Sequence, residues 1–131
     1  MSYQIFTGAA LRAMAATQVG GTNLFMPDGQ RYWVDYVVKD HSPELKSELH
    51  DAETDIYIVM QGEGEIALGG TLLAPTSPRA GQHRGEGLDG AETFHLHAGD
   101  VVIIPAGVPH MVDTRHSRMV WMVVKVAGGA E

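Results

Sequence analysis

Histidine is the residue in this sequence whose placement most clearly suggests chemistry. His110 closes the segment GDVVIIPAGVPH, which begins at Gly99. Pro105 ends its apolar run because proline cannot donate to a strand ladder, and Gly107 permits a tight turn before the histidine. A rigid frame around a single histidine is what a metal ligand or a catalytic base requires. The alternative, which is the commoner fate of a lone histidine, is a buried polar contact.

The rest of the composition narrows the chemistry available to such a site. The 131 residues include seven histidines and no cysteine. Histidine and carboxylate side chains are therefore the strong metal ligands that the chain can offer. The absence of cysteine also excludes a fold that depends on disulfides and is compatible with a reducing compartment, so we expect a cytoplasmic protein.

Short strands must position these side chains. The length fits one domain, and residues 7–18 predict a short helix capped by Thr7 and stopped by Gly20 and Gly21. Beyond residue 31, β-branched and aromatic segments recur between glycine turns, a pattern typical of an all-β sandwich or barrel. We expect strands at 31–39, 46–50, 55–60, 64–68, 93–96, 101–104 and 118–126.

These elements suggest an N-terminal helix and extension over residues 1–30 and a β-barrel over residues 31–126. Residues 75–90 are rich in proline and glycine and predict a long surface loop within 70–91, which could fold over the barrel mouth as a lid. About eight strands and one minor helix make a jelly-roll barrel the natural closure.

The segment ending at His110 resembles the second motif of the cupin superfamily, G-x5-P-x-G-x2-H, at every fixed position. The family's first motif, G-x5-H-x-H-x3–4-E-x6-G, is present in altered form upstream of Gly62. Asp55 stands where the family has glutamate, His50 is the second histidine, and Glu48 replaces the first. The leading glycine is absent, and Thr114 stands where an asparagine usually follows the second motif. The sequence thus resembles small bacterial single-domain cupins of the cupin 2 type.

This resemblance implies a jelly-roll cupin barrel with one divalent metal ion held by Glu48, His50, Asp55 and His110. Residues two apart on a strand share a face, so Glu48 and His50 would both point inward. We expect Asp55 to begin the next strand as a hairpin partner, with the rival carboxylate Glu53 in the turn. Two imidazoles with one or two carboxylates suit Fe, Mn, Ni or Zn as divalent ions. The alternative is solvated charge at strand ends.

Other side chains are weaker candidates. Tyr57 shares the face of Asp55 and would line the cavity, as core or as an acid/base phenol. Arg84 could clamp a substrate carboxylate, or be a solvated loop arginine. His95 and His97 share a strand face and could form an H-x-H metal pair, but we expect them to be surface residues.

The function that these features favour is a metal-dependent enzyme acting on a small oxygen-bearing organic molecule, as an oxygenase, isomerase or lyase. Two histidines and a carboxylate are similar to the ligand triad of non-haem iron oxygenases, which gives that class a slight lead. The alternative is a non-catalytic cupin that binds or senses a small molecule.

The composition also indicates which binding partners to expect. The net charge of −7 without a basic cluster disfavours nucleic acid, and no apolar run approaches the roughly 20 residues of a membrane span. The final strand, residues 118–126, is apolar on both faces, which with the resemblance predicts a homodimer.

Overall fold

Residues 3–128 are described by the computed structural model, and residues 1 and 2 of the predicted N-terminal extension lie outside them. One helix, α1 (Gly8–Thr17), precedes twelve strands. In chain order the strands are β1 (Gly20–Phe25), β2 (Tyr32–Asp40), β3 (Ser47–His50), β4 (Glu53–Leu68), β5 (Thr71–Leu72), β6 (Thr76–Arg79), β7 (Gln82–Gly85), β8 (Leu88–Asp89), β9 (Glu92–His97), β10 (Val101–Ile104), β11 (His110–Asp113) and β12 (Arg118–Ala127).

The helix forms where the sequence predicts it. The Thr7 side chain caps α1 by accepting a hydrogen bond from the Ala10 amide at 3.1 Å. Leu11 and Ala15 are buried against Tyr36, whose hydroxyl donates to the Leu11 carbonyl oxygen at 3.1 Å. The helix therefore covers part of one sheet face and leaves the opposite face of β2 free to line the interior.

The long strand β4 organises the sheet. The strand order is β1-β2-β12-β4-β11-β3-β7-β6, and β9 and β10 both pair with β4 as well. The first half of β4 pairs with β12 and β10, and its second half pairs with β11 and β9. Because two groups of strands share β4, the sheet curls around an interior. The main buried cluster, which includes Val59, Ile66 and Met119, fills one end of that interior.

The prediction of two strands at 55–60 and 64–68 separated by a glycine turn is wrong. Gly62 has a φ of +71°, and a side chain there would collide with the carbonyl oxygen of Arg118 on the neighbouring strand. The β4–β12 register shifts between Val120 and Trp121. The extra residue of this β-bulge is Met60, two residues before Gly62, and the bulge bends one continuous strand so that it serves both halves of the sheet.

The prediction of a structureless loop at 75–90 is also wrong. Strand β7 pairs with β3 in the register Glu48 to Arg84 and His50 to Gln82, and β6 pairs with β7. Strands β5 and β8 form a separate two-stranded ladder. The segment is thus part of the cavity wall. Its proline and glycine content concealed short strands, of which β7 pairs with the distant strand β3 and the others pair within the segment or close to it.

A smaller difference concerns the segment that follows the helix. Gly20 and Gly21 do more than stop the helix, because they begin β1, which pairs with β2 and was not predicted. Among residues 3–128, no helix is long and apolar enough to cross a bilayer, since α1 has ten residues.

Candidate metal centre

Three strands carry the four predicted ligands to one place. Glu48 and His50 lie on β3, Asp55 on β4 and His110 at the start of β11. Strand β11 pairs with both β3 and β4, and His110 is the direct ladder partner of Glu48. The expectation that Asp55 is a hairpin partner of the 46–50 strand is therefore wrong. Strand β11 lies between them, and its histidine bridges the gap.

The turn before β11 fixes the two histidines relative to each other. Gly107 has a φ of +83°, a conformation that glycine adopts without strain. Its amide donates to the carbonyl oxygen of His50 at 2.8 Å. The rigid proline–glycine segment is thus anchored directly on the strand that carries the second imidazole, and the ring centroids of His50 and His110 lie 5.1 Å apart.

The four side chains converge through one atom each. Asp55 Oδ2 lies 3.3 Å from His50 Nε2 and 3.6 Å from His110 Nε2. Glu48 Oε2 lies 3.4 Å and 3.6 Å from the same two nitrogens. Donors bound at about 2.0–2.2 Å to a first-row cation are separated from one another by roughly 3.0–3.4 Å. The observed spacing fits a common metal ion with small adjustments.

Burial leaves these atoms without partners. Asp55 is 1% exposed, His110 2% and His50 4%. Within residues 3–128, no hydrogen-bond partner meets Asp55 Oδ2 or the Nε2 atom of either histidine. A buried polar atom without a partner costs free energy. A cation bound between them would satisfy all three at once, so the residues present fit a metal ion.

Hydrogen bonds at the Nδ1 atoms orient the rings of His50 and His110. Gln82 Nε2 donates to Glu53 Oε1 at 2.9 Å, which fixes the amide so that its oxygen faces His50 Nδ1 at 2.6 Å. The Val108 carbonyl oxygen lies 3.1 Å from His110 Nδ1. Both Nδ1 atoms therefore donate outward, and both Nε2 atoms can present a lone pair to the centre. Carbonyl and amide contacts of this kind orient metal-bound histidines in proteins.

Lys125 occupies one carboxylate oxygen of Asp55 and leaves the other free to face the centre. The two residues are ladder partners on β12 and β4, and Lys125 Nζ donates to Asp55 Oδ1 at 3.0 Å. Burial raises the pKa of Asp55, but the neighbouring His50 and Lys125 outweigh it and hold that pKa below its usual value. Asp55 therefore stays ionised and offers only Oδ2 to the centre.

The same electrostatics act on His50 and Glu48. Burial lowers the pKa of His50, but the carboxylates of Asp55 and Glu48 outweigh burial and raise it to about 9. Burial raises the pKa of Glu48, while both histidines and Arg84 lower it far below its usual range. Without a metal, a proton on His50 thus takes the place of a cation among the carboxylates.

Glu48, His50 and His110 line a cavity of about 690 Å³, and Asp55 is buried next to the two histidines. Tyr57 lines this cavity, and its ring stands edge-on to His110 at a centroid distance of 6.2 Å. Burial, together with Asp55 and Glu48, raises the pKa of Tyr57 well above its usual value. Arg84 also lines the cavity from β7, with Nε 3.7 Å from Glu48 Oε1, so it belongs to the wall and not to a lid.

Sequence reasoning missed three contributors, namely Gln82, Glu53 and Lys125. Glu53 was expected in a turn, but it is the first residue of β4 and holds Gln82 in place. The signal for Lys125 was a lone cation within the apolar part of the final strand, which Arg118 begins. His95 and His97 lie outside the cavity and are exposed.

Comparison with known proteins identifies the fold. No protein-family model matches the chain, and no curated protein matches it in sequence. The structure is similar to the Cnp3 cupin domain of Schizosaccharomyces pombe (13% identity, 82% of this chain and 59% of that one, TM-score 0.57). It is also similar to a cupin 2 conserved barrel protein of Salinispora arenicola CNS-205 (22% identity, 81% and 73%, TM-score 0.54).

A third similar structure is the DMSP lyase DddQ of Ruegeria pomeroyi DSS-3 (20% identity, 95% of this chain and 55% of that one, TM-score 0.57). The chain therefore spans less than two thirds of the yeast domain and of the lyase. These likenesses show the fold: the chain is an all-β protein with the cupin fold, as its second motif predicts.

The raised pKa of His50 predicts how the stability of the metal-free protein depends on pH. The pKa of His50 is about 9 in the folded protein, against about 6.5 for a free histidine side chain, so the proton on His50 stabilises the fold fully below pH 6.5. That contribution is lost as the pH rises through 9. We expect a loss of roughly 2–3 kcal/mol, because solvent at the cavity mouth screens part of the interaction. Urea unfolding of chelator-treated protein measures it.

The control is His50→Gln, which cannot bind the proton. Its free energy of unfolding should change less between pH 6.5 and 9 than that of the wild type. Equal slopes for the wild type and this variant would contradict the assignment of the proton to His50.

Proposed function

We propose that this chain is a metal-dependent enzyme that binds one Fe, Mn, Ni or Zn ion through Glu48, His50, Asp55 and His110. The observation that carries the proposal is the convergence of three buried atoms without partners and one carboxylate on a single point. A bound divalent cation supplies Lewis-acid chemistry, polarising a substrate oxygen and stabilising the negative charge that develops on it. Asp55 contributes through Oδ2 because Lys125 occupies its other oxygen.

The charge of the cavity indicates the class of substrate. Five of the nine lysine and arginine residues line it, against four of the sixteen acidic residues. The five are Lys39, Lys46, Arg79, Arg84 and Lys125. This enrichment occurs in a protein whose net charge is −7, and a bound metal would add further positive charge. We infer a small carboxylate-bearing substrate, drawn in by the local field.

Tyr57 and Arg84 have distinct roles in this proposal. Arg84 offers its guanidinium to the substrate carboxylate from β7, a geometry that can be bidentate. The raised pKa keeps the Tyr57 phenol protonated at neutral pH, so it donates to an oxygen that becomes negative and does not act as a base. Isomerases and lyases use such a donor, which favours them here over an oxygenase. The similar fold of the lyase DddQ accommodates that kind of chemistry.

A second candidate is a non-catalytic cupin that binds or senses the same anion. It would need the basic cavity, but neither the metal nor the proton on Tyr57. The Gln82 contact that orients His50 argues for the enzyme, because a binding cavity gains nothing from an oriented Nε2.

The metal is the first test. Protein dialysed against a weak chelator, which removes loosely held ions, should retain about one first-row metal per chain by elemental analysis. His110→Ala should lose it. Gln82→Leu, which leaves all four ligands in place, should weaken metal binding by about 10–100-fold because His50 is no longer oriented.

His41→Ala, an exposed histidine outside the cavity, serves as the control and should keep its metal. Circular dichroism checks that each variant is folded. A folded wild type that takes up no metal even after loading would overturn the proposal.

Anion binding is the second test, and the chain supplies its own probe. Its two tryptophans, Trp33 and Trp121, both line the cavity. Succinate should change their fluorescence saturably, while neutral succinamide should not. Arg84→Gln should weaken succinate binding by about tenfold, since a charged hydrogen bond contributes roughly 1.5–3 kcal/mol, and Arg84→Lys should lose less.

Arg12→Gln, on the exposed side of α1, is the matched control and should bind succinate like the wild type. Equal affinity for succinate and succinamide would show that the cavity does not select anions.

We also propose that the chain forms a homodimer through the outer face of β4, β10 and β12. Four apolar side chains there are exposed, namely Met60, Val101, Ile103 and Val126. Within residues 3–128, β10 pairs with β4 alone and so has a free edge. A two-fold arrangement would cover this face with an identical one, as self-complementary interfaces do.

Light scattering during gel filtration should therefore give twice the monomer mass at tens of micromolar protein. Ile103→Glu, at a 64% exposed position, should shift the protein to monomer because it buries a charge in the interface. Leu73→Glu places the same charge at an exposed apolar position on another surface and should remain dimeric. A monomeric wild type would overturn this proposal without affecting the metal.

A further inference from the structure

A second group of metal-binding side chains lies on the outer wall of the barrel. His95 and His97 are on β9, and Glu63 is on the adjacent part of β4 as the ladder partner of His97. Between the two histidines, Leu96 is 6% exposed and belongs to the main core. Because side chains alternate along a strand, anchoring Leu96 inward holds both imidazoles outward on one face.

These three side chains are close enough to share one ion. The ring centroids of His95 and His97 are 4.5 Å apart, and His95 Nε2 lies 3.6 Å from Glu63 Oε1. One ligand atom from each of the three lies within 4.8 Å of the other two. Two imidazoles and a carboxylate form a set that suits zinc and its neighbours among the divalent transition metals.

The backbone around the group is already ordered. Asp100 Oδ2 accepts a hydrogen bond from the His97 amide at 2.7 Å and closes the turn that follows β9. The same oxygen lies 3.9 Å from His97 Nδ1, so it adds a negative charge near that ring without a hydrogen bond to it. Glu65, opposite His95 on the ladder, adds a further negative charge to the face. Little ordering is therefore needed for a cation to bind.

We propose that Glu63, His95 and His97 form a second divalent-metal site, for zinc or a similar ion, on the outer face of β4 and β9. It shares no residue with the cavity centre and does not depend on the proposed enzymatic function. Its side chains are 45–64% exposed, so solvent fills the remaining coordination positions. The ion at this site should exchange readily and bind more weakly than one in the buried centre.

Zinc titration of the intact protein tests this site. After the weak-chelator dialysis and with the cavity centre filled, calorimetry should detect about one further equivalent of zinc. His95→Ala and His97→Ala should each weaken this binding by about tenfold or more, because each removes a ligand. His41→Ala is the matched control, since its side chain is 64% exposed, the same fraction as that of His97.

Amide NMR spectra of the isotope-labelled protein locate the ion. The second equivalent should shift signals from β9 and from residues 63–65 while leaving those of β3 unchanged. Undiminished binding of this equivalent to both alanine variants, or no second equivalent in the wild type, would overturn the proposal. Neither result would alter the metal content of the cavity centre, so the two sites can fail separately.

Discussion

The mutual attraction of two buried imidazoles and two carboxylates is the constraint on which the rest of this structure depends. Asp55 and Glu48 bring two negative charges to one point at the cavity wall, and burial makes uncompensated charge there costly. Lys125 neutralises one side of Asp55, and Arg84 lies beside Glu48. The remaining charge requires a cation between the histidines, either a proton on His50 or, in our account, a metal ion.

The register of the paired strands brings these side chains together. Several contacts in the centre join ladder partners, such as His110 with Glu48 and Lys125 with Asp55. A slip of one residue in either strand would turn its side chain away from the cavity. Three features hold the register around β3 and β11. They are the Gly107 amide bond to His50, the contact of Gln82 on β7 with His50, and the bulge at Met60 that lets β4 serve both halves of the sheet.

Local features of the sequence predicted part of the fold and of the candidate metal centre. The helix cap at Thr7, the rigid turn before His110 and the shared face of Asp55 and Tyr57 all follow from neighbours along the chain, and the structure places each as expected. The cupin fold was predicted because the second motif encodes a turn whose proline and glycine positions have few alternatives.

The contacts that the sequence did not predict depend on pairing between segments that are distant in the chain. Nothing near Gln82 or Lys125 in the sequence indicates which residue stands opposite, yet the ladder sets both beside the centre. The glycine at 62 was taken for a turn, but a glycine with positive φ occurs both in turns and, as here, within a strand beside a bulge. Only the neighbouring strand distinguishes them. Whether the four side chains bind a metal together stays a prediction.

Anomalous X-ray scattering from crystals of the metal-loaded, chelator-dialysed protein tests that central claim most directly. The account predicts one strong peak within about 2.0–2.3 Å of Asp55 Oδ2, Glu48 Oε2 and the Nε2 atoms of both histidines. A fully loaded crystal with no peak at this point, or with Lys125 and His50 still paired to Asp55 around an empty centre, would contradict it.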